Sequence, residues 1–374
     1  LRDWQKQLFQ RPEWLFSNSS DQSSLDSSQF TDMKSKFNMS NIGASAIVLV
    51  PTSGGKTVAA DVAISQLLAS DPDAKAIYAL PFVALANEKY SEFTKRFYKF
   101  SVRAYYQNVG GADFRRGNIA VCTYEKAHSL INSALIGKYA NQIKLVIIDE
   151  IHMIGEEHRG AVIEALIVKL LLMQHQPRII GLTATININD AHLLAEWIRG
   201  FAFISETRPS RVKLFVAKSN GDLHVINKDG TMNQKITTLV KVGGNDFVGS
   251  NQSTEMFYIL DPIRRLLSKS PDSTVLVFVN RRADTVLVGD FISKYLYDSK
   301  IKNLPSLQQA GDELLGKRRT LVQDLSRVTG FVDDPLKRCI INGIGIHHAG
   351  LLLEERKLIE AATRNKTLSV IVAT

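Results

Sequence analysis

The sequence predicts an α/β chain of two tandem domains, each a parallel sheet covered by helices on both faces. Three observations carry this. Short apolar runs at 46–50, 76–80, 119–122, 145–148 and 178–182 are separated by stretches with apolar residues at helical spacing, and repeated strand-helix units specify a parallel sheet. The loop at 51–57, Pro-Thr-Ser-Gly-Gly-Lys-Thr, passes from the first of these runs into a helical pattern. The alternation breaks near Arg208-Pro209-Ser210 and resumes at 274–279, which divides the chain into domains 1–208 and 209–374.

Taken in order, residues 1–9 have helical apolar spacing, with Trp4 and Leu8 on one face. Residues 17–41 are rich in Ser, Asn, Asp and Gln without a periodic core face, so a flexible insertion is expected. Beyond the glycine loop the pattern predicts strand 76–80, a helix over 83–100, strands 102–106 and 119–122, and a helix over 125–135. Strand 145–148, a helix over 161–173 and strand 178–182 complete the first sheet. Residues 212–250 carry turn signals, including Lys228-Asp229-Gly230, and read as a hairpin or linker. The second domain offers strand 274–279, a helix over 283–297, a polar helical stretch at 307–327, and strands 343–346 and 370–372. Leu1 is not an initiator methionine and residues 369–374 stop inside a strand pattern, so the second domain is expected to be truncated at its C-terminal end.

The 374 residues are 45% hydrophobic and 22% charged, an ordinary balance for a globular enzyme. Lys and Arg number 46 against 37 Asp and Glu, a net charge of +9, which suits either a polyanion partner or a solvated basic surface. Cys122 and Cys339 are the only cysteines. They support neither a disulfide scaffold nor a thiolate metal site, and point to a reducing compartment. No apolar run approaches the roughly 18 residues a membrane span needs.

The chemistry concentrates at two places. Gly54 and Gly55 lack side chains, so backbone N–H groups of the loop that also holds Thr52 and Ser53 can wrap a phosphate at the positive end of the following helix. Lys56 would then reach the β and γ phosphates and the Thr57 hydroxyl would ligate Mg²⁺. Pro51 stands where the strict G-x-x-x-x-G-K-[ST] pattern has its first glycine. After the most apolar strand comes Asp149-Glu150-Ile151-His152, two carboxylates at the sheet edge where open α/β folds bind ligands. Asp149 is expected to hold Mg²⁺ through water and Glu150 to polarise the water that attacks the γ phosphate. No metal-ligand set surrounds His152 or His347-His348. Lys95-Arg96, Arg115-Arg116, Arg281-Arg282 and Lys317-Arg318-Arg319 read as solvated faces.

Pro-Thr-Ser-Gly-Gly-Lys-Thr together with Asp-Glu-Ile-His resembles motifs I and II of the superfamily 2 DExH-box helicases. Further segments follow in the same order. Thr183-Ala184-Thr185 resembles motif III, which implies a role for Thr183 and Thr185 in coupling ATP state to domain movement. The stretch at 80–89 resembles motif Ia and that at 123–130 motif Ib, which implies that Pro81, Phe82, Thr123, Glu125 and Lys126 lie at the nucleic-acid backbone; Phe82 could equally belong to the core. Trp4-Gln5 resembles the Q motif, whose glutamine reads adenine, with Gln7 as the alternative. Residues 277–280 resemble motif IV, 346–351 motif IVa, with His348, and 372–374 the opening of motif V, with Thr374.

Within that superfamily the likeness is closest to the Ski-like branch and its HELQ and polymerase-theta helicase group. It rests on 152–156 followed by Arg159-Gly160, on Leu-Pro-Phe-Val at 80–83, and on Glu-Lys-Ala-His-Ser-Leu-Ile-Asn at 125–132. The resemblance implies two RecA-like domains in tandem, ATP and Mg²⁺ as ligands, and single-stranded or forked DNA as partner. The implied activity is that of a 3′–5′ DNA helicase in repair or fork processing, nuclear in a eukaryote and otherwise cytoplasmic. An RNA helicase of the same branch stays open, and so does a non-catalytic scaffold, against which Lys56, Thr57, Asp149 and Glu150 argue. Motif VI is expected to lie beyond residue 374, so the isolated 374-residue piece is expected to hydrolyse ATP negligibly.

Overall fold

A computed structural model of the chain describes residues 2–11, 14, 43–52, 54–111, 113–207, 212–227, 230–240, 258–300, 305 and 307–374. The expected insertion at 17–41, Ser53, the boundary residues 208–209 and the turn residues Lys228 and Asp229 lie outside the described residues. The chain divides into two compact units, Leu1–Arg211 and Val212–Thr374.

The first unit opens with α1 (Asp3–Phe9), then β1 (Ala46–Leu49), α2 (Lys56–Ser70), β2 (Lys75–Leu80), α3 (Val83–Arg96) and β3 (Val102–Tyr105). It continues with β4 (Ile119–Thr123), α4 (Tyr124–Ile136), β5 (Ile143–Asp149), α5 (Gly160–Leu172), β6 (Arg178–Thr183), α6 (Ile188–Trp197) and β7 (Phe201–Ile204). The strands form one parallel sheet in the order β3-β4-β2-β5-β6-β1-β7. Successive strand side chains point to opposite faces, and both faces are covered, which is why the strands read as unbroken apolar runs. Ala46, Val48, Tyr78 and Ile147 pack with Ala60, Ile64 and Leu67 of α2 and Phe93 of α3. Ile47, Ile77, Val146 and Ile148 face the other way, against Leu130 of α4, Ile163 and Leu166 of α5 and Ala191 of α6.

The first sheet does not end at residue 182. After it, α6 begins where the Asn187 side chain accepts from Asp190 N, and β7 adds an edge strand beside β1. Residues 201–204, Phe-Ala-Phe-Ile, are too short a run to declare a strand alone. They earn their place by packing, with the Phe203 ring 6.0 Å from that of Trp4. Arg178 is a second surprise inside β6: it is buried, its guanidinium lies 4.3 Å from the Trp14 ring, and its Nε donates to Ala44 O. Burial pushes its pKa down to about 9.

The second unit begins with β8 (Leu214–Ala217), β9 (Asp222–Ile226) and β10 (Met232–Thr238), an antiparallel sheet in the order β10-β9-β8. The expected hairpin is therefore part of a three-stranded meander. Then come α7 (Leu260–Lys269), β11 (Val275–Phe278), α8 (Arg282–Tyr295), α9 (Asp312–Thr329), α10 (Asp334–Ile341), β12 (Ile344–His347), α11 (Leu353–Arg364) and β13 (Val370–Ala373). Strands β11, β13 and β12 form a parallel sheet in that order. The helix α10 was not foreseen, although its signal is present: Asp333 accepts from Leu336 N, and a proline sits in the first turn. Arg318 corrects the reading of Lys317-Arg318-Arg319 as a solvated face. It is buried, and donates from Nε to Thr367 O and from Nη1 to Ile341 O, each at 3.0 Å.

Candidate functional site

The strand order sets β2, β5, β6 and β1 side by side with their C-terminal ends together, and the chemistry-bearing residues follow from those ends. The glycine loop leaves β1, whose continuation is held by Val50 N donating to Thr183 O at 3.0 Å. Gly54 N donates to Pro51 O at 2.9 Å, and Gly55 caps α2 in the left-handed conformation at φ 87°. A Cβ at Gly55 would stand 2.9 Å from Gln5 Nε2, so both conformation and space call for glycine there.

Helix α1 closes over this loop. Trp4 Nε1 donates to Gly54 O at 3.0 Å and Gln5 Nε2 to Gly55 O at 3.2 Å, while Gln5 Oε1 accepts from Arg2 N at 2.8 Å. Gln5 is buried and Gln7 exposed, so of the two glutamines it is Gln5 that touches the loop. Thr52, Lys56 and Thr57 lie along the same segment and the start of α2.

Asp149 ends β5, and Glu150 follows it in a left-handed conformation at φ 51°, ψ 47°. Glu150 Oε1 lies 3.4 Å from Lys56 Nζ, and its Oε2 lies 3.4 Å from His152 Nδ1. The same His152 nitrogen is 3.3 Å from Thr183 Oγ1, which also accepts from Thr185 N at 3.4 Å. Lys56, Glu150, His152 and Thr183, which span 128 positions of sequence, thus form one contact chain. Two tyrosines that sequence reasoning passed over complete the site. Tyr78 OH donates to Asp149 Oδ2 at 2.8 Å, and Tyr124 OH donates to Asp149 O at 2.5 Å and approaches Glu150 O at 3.3 Å. A tyrosine in the middle of a fully buried strand needs a partner for its hydroxyl, and Tyr78 carried that signal.

Burial pushes the Asp149 carboxyl above its ordinary pKa, an effect the Tyr78 hydroxyl partly offsets. Burial also raises the Tyr78 hydroxyl well above its usual value, and the neighbouring Asp149 charge adds to the rise. Burial raises the Tyr124 hydroxyl as well, so both tyrosines stay protonated donors. The donors available for a divalent ion, the Thr57 hydroxyl and the Asp149 carboxylate, are hard oxygens of the kind Mg²⁺ takes beside phosphate. Among the described residues no three His, Cys, Asp or Glu side chains gather into a metal-holding group, His347-His348 included.

Of the expected nucleic-acid contacts, Pro81 and Phe82 sit between β2 and α3. Phe82 is 47% exposed, with the Arg159 guanidinium 4.2 Å from its ring, which removes it from the core and ties Arg159 to the segment between β2 and α3. Thr123 is buried at the start of α4, with Glu125 exposed and Lys126 half-buried in the first turn. His348 and Thr374 belong to the second unit. His348 Nδ1 accepts from Gly350 N at 3.1 Å, and Thr374 N donates to His347 O at 3.3 Å. Burial, with Arg282 nearby, pushes the His348 pKa down.

This constellation is that of a nucleoside-triphosphate-binding α/β protein. Residues 35–194 match the DEAD/DEAH box helicase family, and the chain carries a DEAD/DEAH box helicase domain. Its homologues are Hel308 and POLQ-like helicases. It is 26% identical over 340 residues to ATP-dependent DNA helicase Hel308 of Methanococcus vannielii, a match covering 88% of this chain and 41% of that protein. The same comparison gives 29% with Helicase POLQ-like of Caenorhabditis elegans, over 89% of this chain and 34% of the relative. It gives 30% with Hel308 of Thermococcus kodakarensis, over 89% and 26%. The chain thus spans less than half the length of each of these relatives.

Proposed function

We propose that the chain is the motor part of an ATP-dependent 3′–5′ DNA helicase or translocase that works in DNA repair or replication-fork processing on single-stranded or forked DNA. One observation carries the reading: Lys56, Glu150, His152 and Thr183, one residue or more from each of three helicase-like motifs, touch in sequence at one sheet edge. The names of the Hel308 relatives, which are called DNA helicases, favour DNA. The 3′–5′ direction rests on the motif resemblance. In this reading residues 1–208 are the ATP-binding domain and 209–374 belong to the helicase C-terminal domain. The protein works in the nucleus of a eukaryote and in the cytoplasm otherwise; no helix among the described residues is long and apolar enough to cross a membrane.

Each residue then has a task. Thr52 and Gly55 present backbone N–H groups to the phosphates, Gly54 joins them by releasing Pro51 O, and Lys56 exchanges its Glu150 contact for phosphate oxygens. Gln5 braces the loop beside the adenine position. Mg²⁺, when bound with the nucleotide, would supply positive charge that offsets the negative charge of the phosphates. Thr57 and Asp149 would hold that ion, Asp149 through water. Glu150 orients and accepts a proton from the attacking water, and His152 relays the change at Glu150 to Thr183 and Thr185. Pro81, Phe82, Thr123, Glu125, Lys126, His348 and Thr374 lie along the nucleic-acid backbone, a contact that carries no sequence information and weakens with salt.

The test is strand displacement by the full-length protein on forked DNA. Unwinding should need ATP and a 3′ single-stranded tail. Unwinding from a 5′ tail alone, or of RNA in preference to DNA, would overturn the reading.

A further inference from the structure

We propose that Tyr78 and Tyr124 are positioning residues that fix the Asp149–Glu150 pair, Tyr78 through the Asp149 carboxylate and Tyr124 through the two peptide carbonyls. The inference rests on the proposed ATP site and adds two residues to it. Tyr78 is fully buried in β2, in register with Ile147 of β5. Ile147 and Asp149 share a strand face, so the Tyr78 hydroxyl arrives at the carboxylate two residues along. Its ring is held by α3, edge-on to Phe93 at 5.2 Å and 87°, with Lys89 Nζ 5.9 Å from the ring centroid. The hydroxyl is therefore delivered by packing and cannot follow the carboxylate if that rotates.

Asp149 Oδ2 accepts from Tyr78, and Oδ1 accepts from Glu150 N at 3.0 Å. A carboxylate has about four acceptor sites. Two are used to lock its rotamer and two remain for waters around a metal ion. Tyr124 packs in the core cluster on the opposite sheet face from Tyr78. Its hydroxyl bonds to Asp149 O and approaches Glu150 O, across the turn where Glu150 takes a left-handed conformation that a Cβ disfavours. Held there, the Glu150 carboxylate meets Lys56 on one oxygen and His152 on the other. One hydroxyl thus aims the metal-facing carboxylate, and the other aims the water-facing one.

The experiment compares Tyr78→Phe, Tyr124→Phe, Asp149→Asn and the Tyr78→Phe/Asp149→Asn pair in the full-length protein. The probe is Mn²⁺-dependent binding of a fluorescent, non-hydrolysable ATP analogue, read beside melting curves and kcat. Tyr78→Phe should raise the Mn²⁺ concentration for half-maximal binding about ten-fold, as loss of an outer-shell partner does, with no further rise when Asp149 is already Asn. Tyr124→Phe should leave the Mn²⁺ requirement unchanged and lower kcat about five-fold at constant KM. An unchanged Mn²⁺ requirement in Tyr78→Phe, or an additive effect in the pair, overturns the role of Tyr78; an unchanged kcat in Tyr124→Phe overturns that of Tyr124. A lowered melting midpoint does not blur the decision, because binding is read at a temperature where the melting curves show every variant folded. Lys56→Ala separates this inference from the reading beneath it. Undiminished analogue binding in Lys56→Ala defeats the ATP site itself, whereas lost binding there beside a normal Tyr78→Phe defeats only the role of Tyr78.

Discussion

His152 stands against Thr183, its Nδ1 3.3 Å from Thr183 Oγ1, and the same nitrogen lies 3.4 Å from Glu150 Oε2. The imidazole therefore bridges the residue placed to activate water and the end of a neighbouring strand. Removing it as His152→Ala should leave ATP affinity unchanged and reduce the stimulation of ATP hydrolysis by DNA about five-fold. That is the rate equivalent of one hydrogen bond worth about 1 kcal/mol. Steady-state ATPase assays with and without single-stranded DNA measure it; a variant with normal stimulation would remove His152 from the coupling route.

Glu150 touches both Lys56 and His152, so Glu150→Gln keeps the shape of the site while removing the base. Hydrolysis should fall by about 10² to 10⁴ in kcat, with nucleotide still bound in a fluorescence titration. Lys56→Ala should instead lose the binding. Equal behaviour of the two variants would mean that the roles are wrongly divided.

Gly55 at φ 87° and the Gln5 amide 2.9 Å from its absent Cβ make α1 part of the phosphate loop. In Gly55→Ala the left-handed conformation costs about 1–2 kcal/mol and Gln5 must move, so KM for ATP should rise about ten-fold. Gln5→Ala should produce a smaller rise, because Trp4 still bonds to Gly54. If Gln5→Ala has no effect on KM while Gln7→Ala does, the alternative glutamine is the functional one.

The half-buried Asp149 predicts a pH effect of definite sign. Its carboxyl is raised above the ordinary value in the folded chain by desolvation, so between that ordinary value and the raised one the folded state binds more protons than the unfolded state. Stability therefore falls as pH rises through this window and stays at the lower level above it. Asp149→Asn, which removes the charge, should melt higher than the parent protein at pH 7 in the presence of a chelator. The gap should close as pH drops below about 4. A variant that melts lower at pH 7 would show that the carboxylate is stabilising.

Salt supplies a further check. Contacts to backbone phosphates release counterions, so DNA affinity of the full-length protein should fall by about 10³ or more between 50 and 200 mM salt if six or more phosphates are neutralised, with little dependence on sequence. Equilibrium titrations on two unrelated single strands measure this. Tight, salt-insensitive binding to one sequence would contradict backbone recognition.

Much of this could be read from the sequence because the site is built from contiguous motifs. Gly54-Gly55-Lys56-Thr57 and Asp149-Glu150-Ile151-His152 each follow a buried strand whose apolar run announces it, and a parallel sheet brings such strand ends together. What escaped depends on tertiary context. Phe201–Ile204 becomes a strand only because β1 offers a free edge. Arg318 and Arg178 look like surface charges until backbone carbonyls around them are in place. Tyr78 stands in no motif, and Tyr124, although it lies in the motif Ib-like stretch, is not marked there as a partner of Asp149, since a hydroxyl that bonds across elements is invisible to spacing along one chain.

The central claim, that ATP held by Lys56 and cleaved with Glu150 drives movement along DNA, is tested most directly by ATP hydrolysis in the full-length protein titrated with single-stranded DNA and with RNA. The account predicts strong stimulation by single-stranded DNA that Glu150→Gln abolishes. No stimulation by DNA, or stimulation that survives Glu150→Gln, would contradict it.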